Sequence, residues 1–482
     1  MTVIAHQERP SRTELGRCLM ESGALSSDWA PAFAAVDRAV FLPTVMWPFI
    51  PADRRQPGDV LGTRAVTVDR RTDPAAWYGY ADSDLSVVTQ WDDGAHRGDQ
   101  PGTVPTSSSS QPSVVFRLLA ALDADAGQRV LDAGTGTGET AALLAHRCGA
   151  ANVTTIDVDP AVSAAARERL CTLGLYAEAV TGDALAGHPD RGPYDRLLCT
   201  FGVRSIPRAW VEQVRPGGVI VAPYGTHYSS RDAAARLTVH ADATASGPFV
   251  TAVEFMKARS HRTVWPDAEK YVKQWPGSIG TAVQPDQLAE AHHAISLAVP
   301  HVAHTTHTEP DGAPAAWWYS LTDHSWAAVR WPEEYGPGIV YQHGPRRLWD
   351  AVEAACWWWD AQGSPALDRF GLTVGPDGET PWLDDPGTCC PGPAGDRRGD
   401  VDADREPLAV WAERRDRRRE SDRQITGRRR AEPLDPAARG RAAHLAPDAP
   451  RVLFELDEES GEWLPVGVAD NAAEAAAFIH GW

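Results

Sequence analysis

The sequence predicts an α/β protein: a Rossmann-like, largely parallel sheet followed by a small C-terminal α+β domain. Three observations carry that expectation. Across residues 129–225, short apolar runs alternate with helical stretches, the pattern of an open parallel sheet with helices on both faces. A glycine-rich turn, Gly134-Thr135-Gly136-Thr137-Gly138, joins the first apolar run to the first helix of that segment. The chain has 482 residues, more than one domain needs, and a Trp-rich region follows the alternation.

Taken in order, residues 11–43 read as helical. Leu15, Cys18, Leu19, Phe33, Val36 and Val40 fall at helix-like spacing, and Phe41-Leu42-Pro43 closes the run. Residues 44–106 form a Gly/Pro/Asp-rich insert with a strand-like piece at 85–88. A helix at 113–122 leads into the core, which spans 107–262. Its strands are expected at 129–133, 152–157, 177–183, 194–201 and 218–225, and its helices at 138–148, 160–173 and 207–214. Segments 236–240 and 249–255 supply edge strands. The domain of residues 1–262 ends there on this reading.

Residues 263–385 are expected to be the separate α+β extension. It has a hairpin at 315–319 and 326–331, a helix at 348–362, and strands 371–374 and 379–383 around a Gly-Pro-Asp-Gly turn. Its Trp residues read as packing first and as a peptide-docking face second. Residues 386–450 read as a linker, because Asp and Glu interleave with the Arg runs at 414–419 and 428–430. Residues 451–482 read as a small strand–helix tail.

Composition excludes several functions. Lys+Arg number 46 against Asp+Glu 65, a formal net charge of -19, so a phosphate backbone is repelled and nucleic acid is not the expected partner. The seven cysteines form no CxxC pair and read as reduced thiols. His301, His304 and His307 lack a metal-binding spacing and a nearby Cys/Asp ligand set, so strand or surface histidines, and no metal, are expected. No run is apolar enough to span a bilayer, and the N-terminal stretch has no signal-peptide core, so no membrane partner and a cytoplasmic location are expected.

The sharpest local signal is Val130-Leu131-Asp132-Ala133-Gly134-Thr135-Gly136-Thr137-Gly138-Glu139: a strand enters, a Gly-rich turn follows, a helix leaves. Such a turn alone is shared with dinucleotide folds. Two further carboxylates narrow it. Asp157, followed by Val158, ends the next strand, where it can accept ribose hydroxyls. Asp183, followed by Ala184, ends the strand after, where it can take an adenine amino group. Asp132 can face the ammonium of a methionine moiety. Three carboxylates at successive strand ends suit a cationic sulfonium better than a pyrophosphate, so S-adenosyl-L-methionine is the expected cofactor and a class I methyltransferase the expected fold. The nucleobase-amine motif (Asp/Asn-Pro-Pro-aromatic) is absent after the fourth strand, where the chain reads Cys199-Thr200-Phe201-Gly202-Val203-Arg204. A carboxylate acceptor needs no strong base, being ionised at neutral pH. Hydroxyls suffice to hold it, and Ser107-Ser108-Ser109-Ser110-Gln111-Pro112 offers them, although a Ser run by itself reads as flexible linker. Cys199, inside a core strand, reads as a small buried hydrophobe.

Residues 11–260 resemble the protein-L-isoaspartate O-methyltransferases. The resemblance rests on Phe41-Leu42-Pro43, on Tyr80-Ala81-Asp82-Ser83-Asp84-Leu85, on Ser110-Gln111-Pro112, on the 130–138 motif, and on Tyr194-Asp195-Arg196 followed by Ile206-Pro207 and Arg215-Pro216-Gly217-Gly218. It implies methylation of an aspartyl or isoaspartyl carboxylate, with Ser110 and Gln111 as the catalytic pair and Asp82 shaping the acceptor pocket. From the residues themselves, Ser108 and Ser109 are expected beside the acceptor, and Arg204 reads either as a partner for a substrate carboxylate or backbone or as a surface Arg preceding a helix. Three departures stand out: some 220 further residues, Thr106-Ser107-Ser108-Ser109 in place of the family's Thr-Ile, and Arg204 at a position usually small or apolar. These are similar to the actinobacterial branch found with ribosomally made modified peptides, the lanthipeptides and graspetides. That branch implies a macrocyclised precursor peptide as partner and aspartimide as product; repair of damaged proteins is the alternative. The region after Pro386 suggests no family from its sequence alone.

Overall fold

The computed structural model describes residues 9–51, 63–273, 275–309, 311–332, 336–388, 390, 451–456 and 463–469. The described parts of 1–46, 69–97 and 104–399 form one compact unit, and those of 47–68, 98–103 and 400–482 a second.

The chain opens with α1 (Pro10–Glu21) and α2 (Ala30–Ala35), then β1 (Val45–Pro51), β2 (Thr63–Ala65), β3 (Val68–Asp69), α3 (Pro74–Ala81), β4 (Val87–Trp91) and β5 (Pro105–Ser109). The 11–43 helical run is interrupted, because the chain turns at Gly23, in the left-handed region at φ +70°. The core follows as α4 (Pro112–Leu122), β6 (Val130–Ala133), α5 (Glu139–Cys148), β7 (Val153–Asp157), α6 (Pro160–Thr172), β8 (Glu178–Thr181), β9 (Tyr194–Cys199), α7 (Arg208–Gln213), β10 (Val214–Tyr224), β11 (Asp232–Val239) and β12 (Ala245–Val253). Next come α8 (Ala268–Tyr271), β13 (Ile279–Thr281), α9 (Pro285–Glu290), α10 (His292–Ala298), β14 (Val302–Thr308), β15 (Pro314–Ser320), β16 (Trp326–Arg330), β17 (Gly338–His343), α11 (Leu348–Ala361), β18 (Phe370–Gly375) and β19 (Gly378–Leu383).

The main sheet runs β19-β18-β12-β11-β10-β9-β6-β7-β8. The five strands β10, β9, β6, β7 and β8 are parallel, and β11, β12, β18 and β19 add on antiparallel. Strand alternation assigns the two faces. Val130, Val153, Leu198 and Val219 pack under α1, α4 and α5, whereas Leu131, Ile156, Leu197 and Ile220 join Trp210 on the other side.

The boundary expected at 262/263 is corrected here. β18 pairs with β12 (Ala245↔Val374, Pro248↔Gly371), and Ile295, Trp349 and Trp359 of the extension share the hydrophobic core of that second face. Residues 263–385 therefore finish the sheet rather than forming a separate domain. A second sheet, β13-β17-β16-β15-β14, sits within the extension. Full burial of Trp318, Trp326 and Trp349, each contributing about 1.5–3 kcal/mol or more of transfer free energy, accounts for many of its tryptophans as packing.

In the smaller unit, β1 pairs antiparallel with β2 (Phe49↔Ala65), and β20 (Arg451–Leu456) with β21 (Trp463–Ala469). The tail thus holds two strands where one was expected. The tail helix and nearly all of the 386–450 linker lie outside the described residues. No described helix is long and apolar enough to cross a membrane.

Candidate cofactor and acceptor site

The strand order β6-β7-β8 sets Asp132, Asp157 and Asp183 at or near the carboxyl ends of three neighbouring parallel strands. Between β6 and α5 the chain turns at Gly134, whose φ of +99° excludes an ordinary side chain. A Cβ there would stand 2.8 Å from Phe201 Cδ1.

Asp132 is fully buried. Its Oδ2 accepts from the Thr155 hydroxyl at 2.7 Å, and Thr155 in turn accepts from the Thr135 hydroxyl at 2.7 Å. Oδ1 is buried with no partner, an arrangement that costs free energy unless a donor arrives. Burial first, and the charge of Asp157 after it, push the Asp132 carboxyl up to about 7 against the Thr155 hydrogen bond. The orphaned oxygen fits the ammonium of a methionine moiety.

Asp157 holds the turn itself. Its Oδ2 accepts from Gly136 N–H and its Oδ1 from Asp159 N–H, both at 3.0 Å. Each oxygen keeps a second lone pair for a ribose hydroxyl. Val158 follows, about half exposed at 48%. Asp183 caps the short turn after β8 by accepting from Leu185 N–H. Ala184 is buried behind it, its carbonyl accepting from the Trp210 indole. Sequence reasoning missed Thr155, although a Thr in a buried strand beside an Asp was a legible signal. It also missed a brace at Asp159, whose Oδ2 accepts from Gln90 and Arg259 at 2.9 Å each.

The acceptor side is a strand rather than a flexible linker. Residues 105–109 form β5, paired with β4 (Val88↔Ser108). Alternation buries Ser107 and Ser109 and leaves Ser108 and Ser110 partly exposed on the other side. The strand reaches the cofactor turn: the Ser108 carbonyl lies 3.5 Å from where a Cβ on Gly136 would be. A buried Arg38 fastens it. Its guanidinium donates to Ser109 Oγ at 2.8 Å and to the carbonyls of Ser83, Leu85, Ser109 and Ser110 at 2.8–3.2 Å. Ser109 Oγ then donates to Glu139 at 2.7 Å. Arg38 and Glu139 were also missed. The signal was present as an Arg within the apolar run Val36-Asp37-Arg38-Ala39-Val40-Phe41.

Among the expected acceptor residues, Ser108, Ser109, Ser110 and Gln111 are together. Gln111 donates to Asp84 at 3.1 Å, and Asp84 also accepts from Ser113 N–H at the start of α4. Asp82 and Arg204 are engaged by other parts of the chain. Both Asp82 oxygens are held by the Arg9 fork at 2.7 Å, with Ser11 added, so this carboxylate anchors the N-terminal segment. Arg204 donates through Nε to His261 O at 2.8 Å and through Nη1 to Thr226 O, which stitches two loops together. Cys199 is buried, and burial raises its thiol pKa. His304 turns inward and stacks on Tyr228 at 4.6 Å. No cluster among the described residues could hold a metal.

A parallel sheet in this order, with a Gly-rich turn after its first core strand and a carboxylate ending the next, defines the class I S-adenosylmethionine-dependent methyltransferase fold. Within that class, residues 70–263 match the family model described as protein-L-isoaspartate(D-aspartate) O-methyltransferase. The chain is 44% identical over 117 residues to a protein-L-isoaspartate O-methyltransferase of Azorhizobium caulinodans, covering 24% of this chain and 53% of the relative. For one from Rhodospirillum rubrum the figures are 38% over 144 residues, 30% and 63%. The chain thus spans about half the length of the curated relatives it matches. A solved protein-L-isoaspartate O-methyltransferase aligns at TM-score 0.45 and 20% identity, over 78% of this chain and all of that one. Residues 402–481 match a family of unknown function, DUF6087, where the sequence alone suggested no family.

Proposed function

We propose that the chain is an S-adenosylmethionine-dependent O-methyltransferase acting on an aspartyl or isoaspartyl carboxylate of a peptide or protein. The observation that carries this is the approach of the Ser108 carbonyl to the Gly136 turn, 3.5 Å from where a Cβ on Gly136 would stand, with the partly exposed Ser110 two residues further along the same segment. The cofactor supplies an electrophilic methyl group. Asp132 receives its ammonium, Asp157 its ribose, and Val158, Asp183 and Ala184 flank its adenine. The acceptor carboxylate, with a pKa of about 4, arrives ionised and needs no general base. Ser110 would donate a hydrogen bond to one carboxylate oxygen while the other attacks the methyl carbon, the methyl–sulfur bond breaking and S-adenosylhomocysteine leaving. The remaining barrier is lowered by positioning and by removal of water.

Within this class the acceptor is an aspartate of a macrocyclised ribosomal peptide. The methyl ester then loses methanol to the following backbone amide, closing a succinimide. A C-terminal extension that completes the main sheet supports a dedicated peptide substrate. Repair of isoaspartyl proteins is the second reading, favoured by the match of residues 70–263. Comparing kcat/KM for a generic isoaspartyl peptide and for a cyclised precursor peptide separates them. Preference for the cyclised peptide supports tailoring, and efficient turnover of the generic peptide assigns repair.

Two outcomes follow for the cofactor side. Asp157→Ala should weaken S-adenosylhomocysteine binding by about 1–3 kcal/mol in calorimetry, through unpaired ribose hydroxyls and a loosened Gly136 turn; unchanged affinity would mean that the ribose is held elsewhere. Because the ligand ammonium pairs with ionised Asp132, affinity should rise with pH and level off above about 7. Below that value binding should release a proton. PH-independent affinity without proton release would contradict the role of Asp132.

A further inference from the structure

We propose that a cavity in the C-terminal extension receives an apolar side chain of the acceptor peptide and thereby selects which carboxylate reaches Ser110; this rests on the peptide-methylating reading above. The cavity has a volume of about 310 Å³. Its walls are Ala294 of α10, Trp359 of α11, Pro365 and Leu367 of the turn that follows, and Phe370 at the start of β18, with Glu290 and His293 as polar neighbours. Small-molecule pockets span roughly 300–1,000 Å³, so this one suits a single large side chain. Covering its apolar walls removes hydrocarbon surface from water.

The walls are preformed. The Trp359 indole N–H donates to Pro365 O at 3.1 Å, which fixes the ring against the turn. Phe370 opens the strand that pairs with β12, so the cavity is mounted on the same sheet that carries the cofactor turn. A side chain bound there is held in a fixed relation to that turn, as positional selection requires.

The cavity adjoins the loop that follows β10 through one shared wall residue, His293. His293 lines a second crevice, of about 10 Å³, together with Tyr224 at the end of β10, Gly225 and Thr226 after it, and Arg231 just before β11. Gly225 N–H donates to Val203 O at 3.0 Å, and Val203 N–H to Pro223 O at 2.8 Å. Phe201, two residues earlier, lies against Gly134. The loop after β10 is thereby tied to the segment after β9, whose Phe201 ring faces the cofactor turn. Burial, reinforced by the Arg231 charge, lowers the His293 pKa to about 4. Its imidazole is therefore neutral at pH 7 and can bond a peptide amide or carbonyl. With no cationic group on its walls, the cavity favours an uncharged apolar anchor over a phosphate or carboxylate.

The test uses the full chain, Ala366→Trp at the exposed rim, and indole as a soluble probe of the cavity. A series of acceptor peptides with single apolar residues around the target Asp is assayed for methylation. In the wild type, removing one particular apolar residue should raise KM about tenfold and leave kcat unchanged. Ala366→Trp should raise KM similarly for the anchored peptide, spare the peptide lacking the anchor, and leave S-adenosylhomocysteine affinity intact. Indole should compete with the anchored peptide only. Methylation with KM indifferent to both indole and Ala366→Trp overturns this proposal alone. Saturable indole binding that Ala366→Trp abolishes but that leaves peptide KM untouched also overturns it, and assigns the cavity to a free apolar ligand. If no peptide is methylated at all, the proposed function falls and this inference with it.

Discussion

Arg38→Ala is expected to lower the free energy of unfolding by about 3–5 kcal/mol, the range for removing one partner of a buried ion pair. Three features of the site set that size. Arg38 is buried, and its guanidinium serves carbonyls from two separate segments, Ser83 and Leu85 before β4 and Ser109 and Ser110 at the end of β5. Its Nε also stands 3.7 Å from Glu139. Burial lowers the Arg38 pKa and raises that of Glu139, and each charge opposes the other's shift. Without Arg38, Glu139 is left in the interior with only the Ser109 hydroxyl, and several carbonyls lose their donor. Arg38→Lys keeps the charge but lacks the planar fork, so it should recover part of the loss only. Urea unfolding of the three proteins measures this. A stability for Arg38→Ala within about 0.5 kcal/mol of wild type would show that the acceptor strand is held by other contacts.

Ser110→Ala should reduce turnover about 10²-fold, the scale for losing one preorganised hydrogen-bond donor at a reacting carboxyl group. Affinity for S-adenosylhomocysteine should not change. The contrast with Ser109 sharpens the test. Ser109 faces inward and bridges Arg38 to Glu139, so Ser109→Ala should cost stability first and turnover only as a consequence. Ser110 faces the other way, and no described residue hydrogen-bonds to its hydroxyl. Loss of cofactor affinity in Ser110→Ala, measured by calorimetry, would mean that this residue supports the Gly136 turn instead of the acceptor.

The parallel core was legible because each of its signals is local. The apolar runs of β6, β7 and β9, the glycines of the turn, and Pro160 at the start of α6 all lie within a few residues of the structure they specify. The Asp132–Asp157–Asp183 series was legible for the same reason, since strand ends can be counted. What escaped is non-local. Nothing near residue 370 reveals that Phe370–Gly375 will pair with Ala245–Val253, and that pairing dissolves the boundary expected at 262/263. Arg38 lies 71 residues from its partner Ser109, so its function depends on a fold brought together afterwards. The partners of Asp82 and Arg204 were not legible either, because Arg9 and the backbone at Thr226 and His261 lie in distant segments. A residue's type suggested its chemistry, and only the packing decided which group would use it.

The most direct test of the account is mass spectrometry of an aspartyl- or isoaspartyl-containing peptide after incubation with the full chain and S-adenosylmethionine. Carboxyl methylation predicts a gain of one CH₂ at the acidic residue. Mild base should then release it as methanol, leaving a succinimide or its hydrolysis product. A gain that survives base, or one that maps to an amine, hydroxyl or thiol, would contradict the carboxylate acceptor and the role given to Ser110.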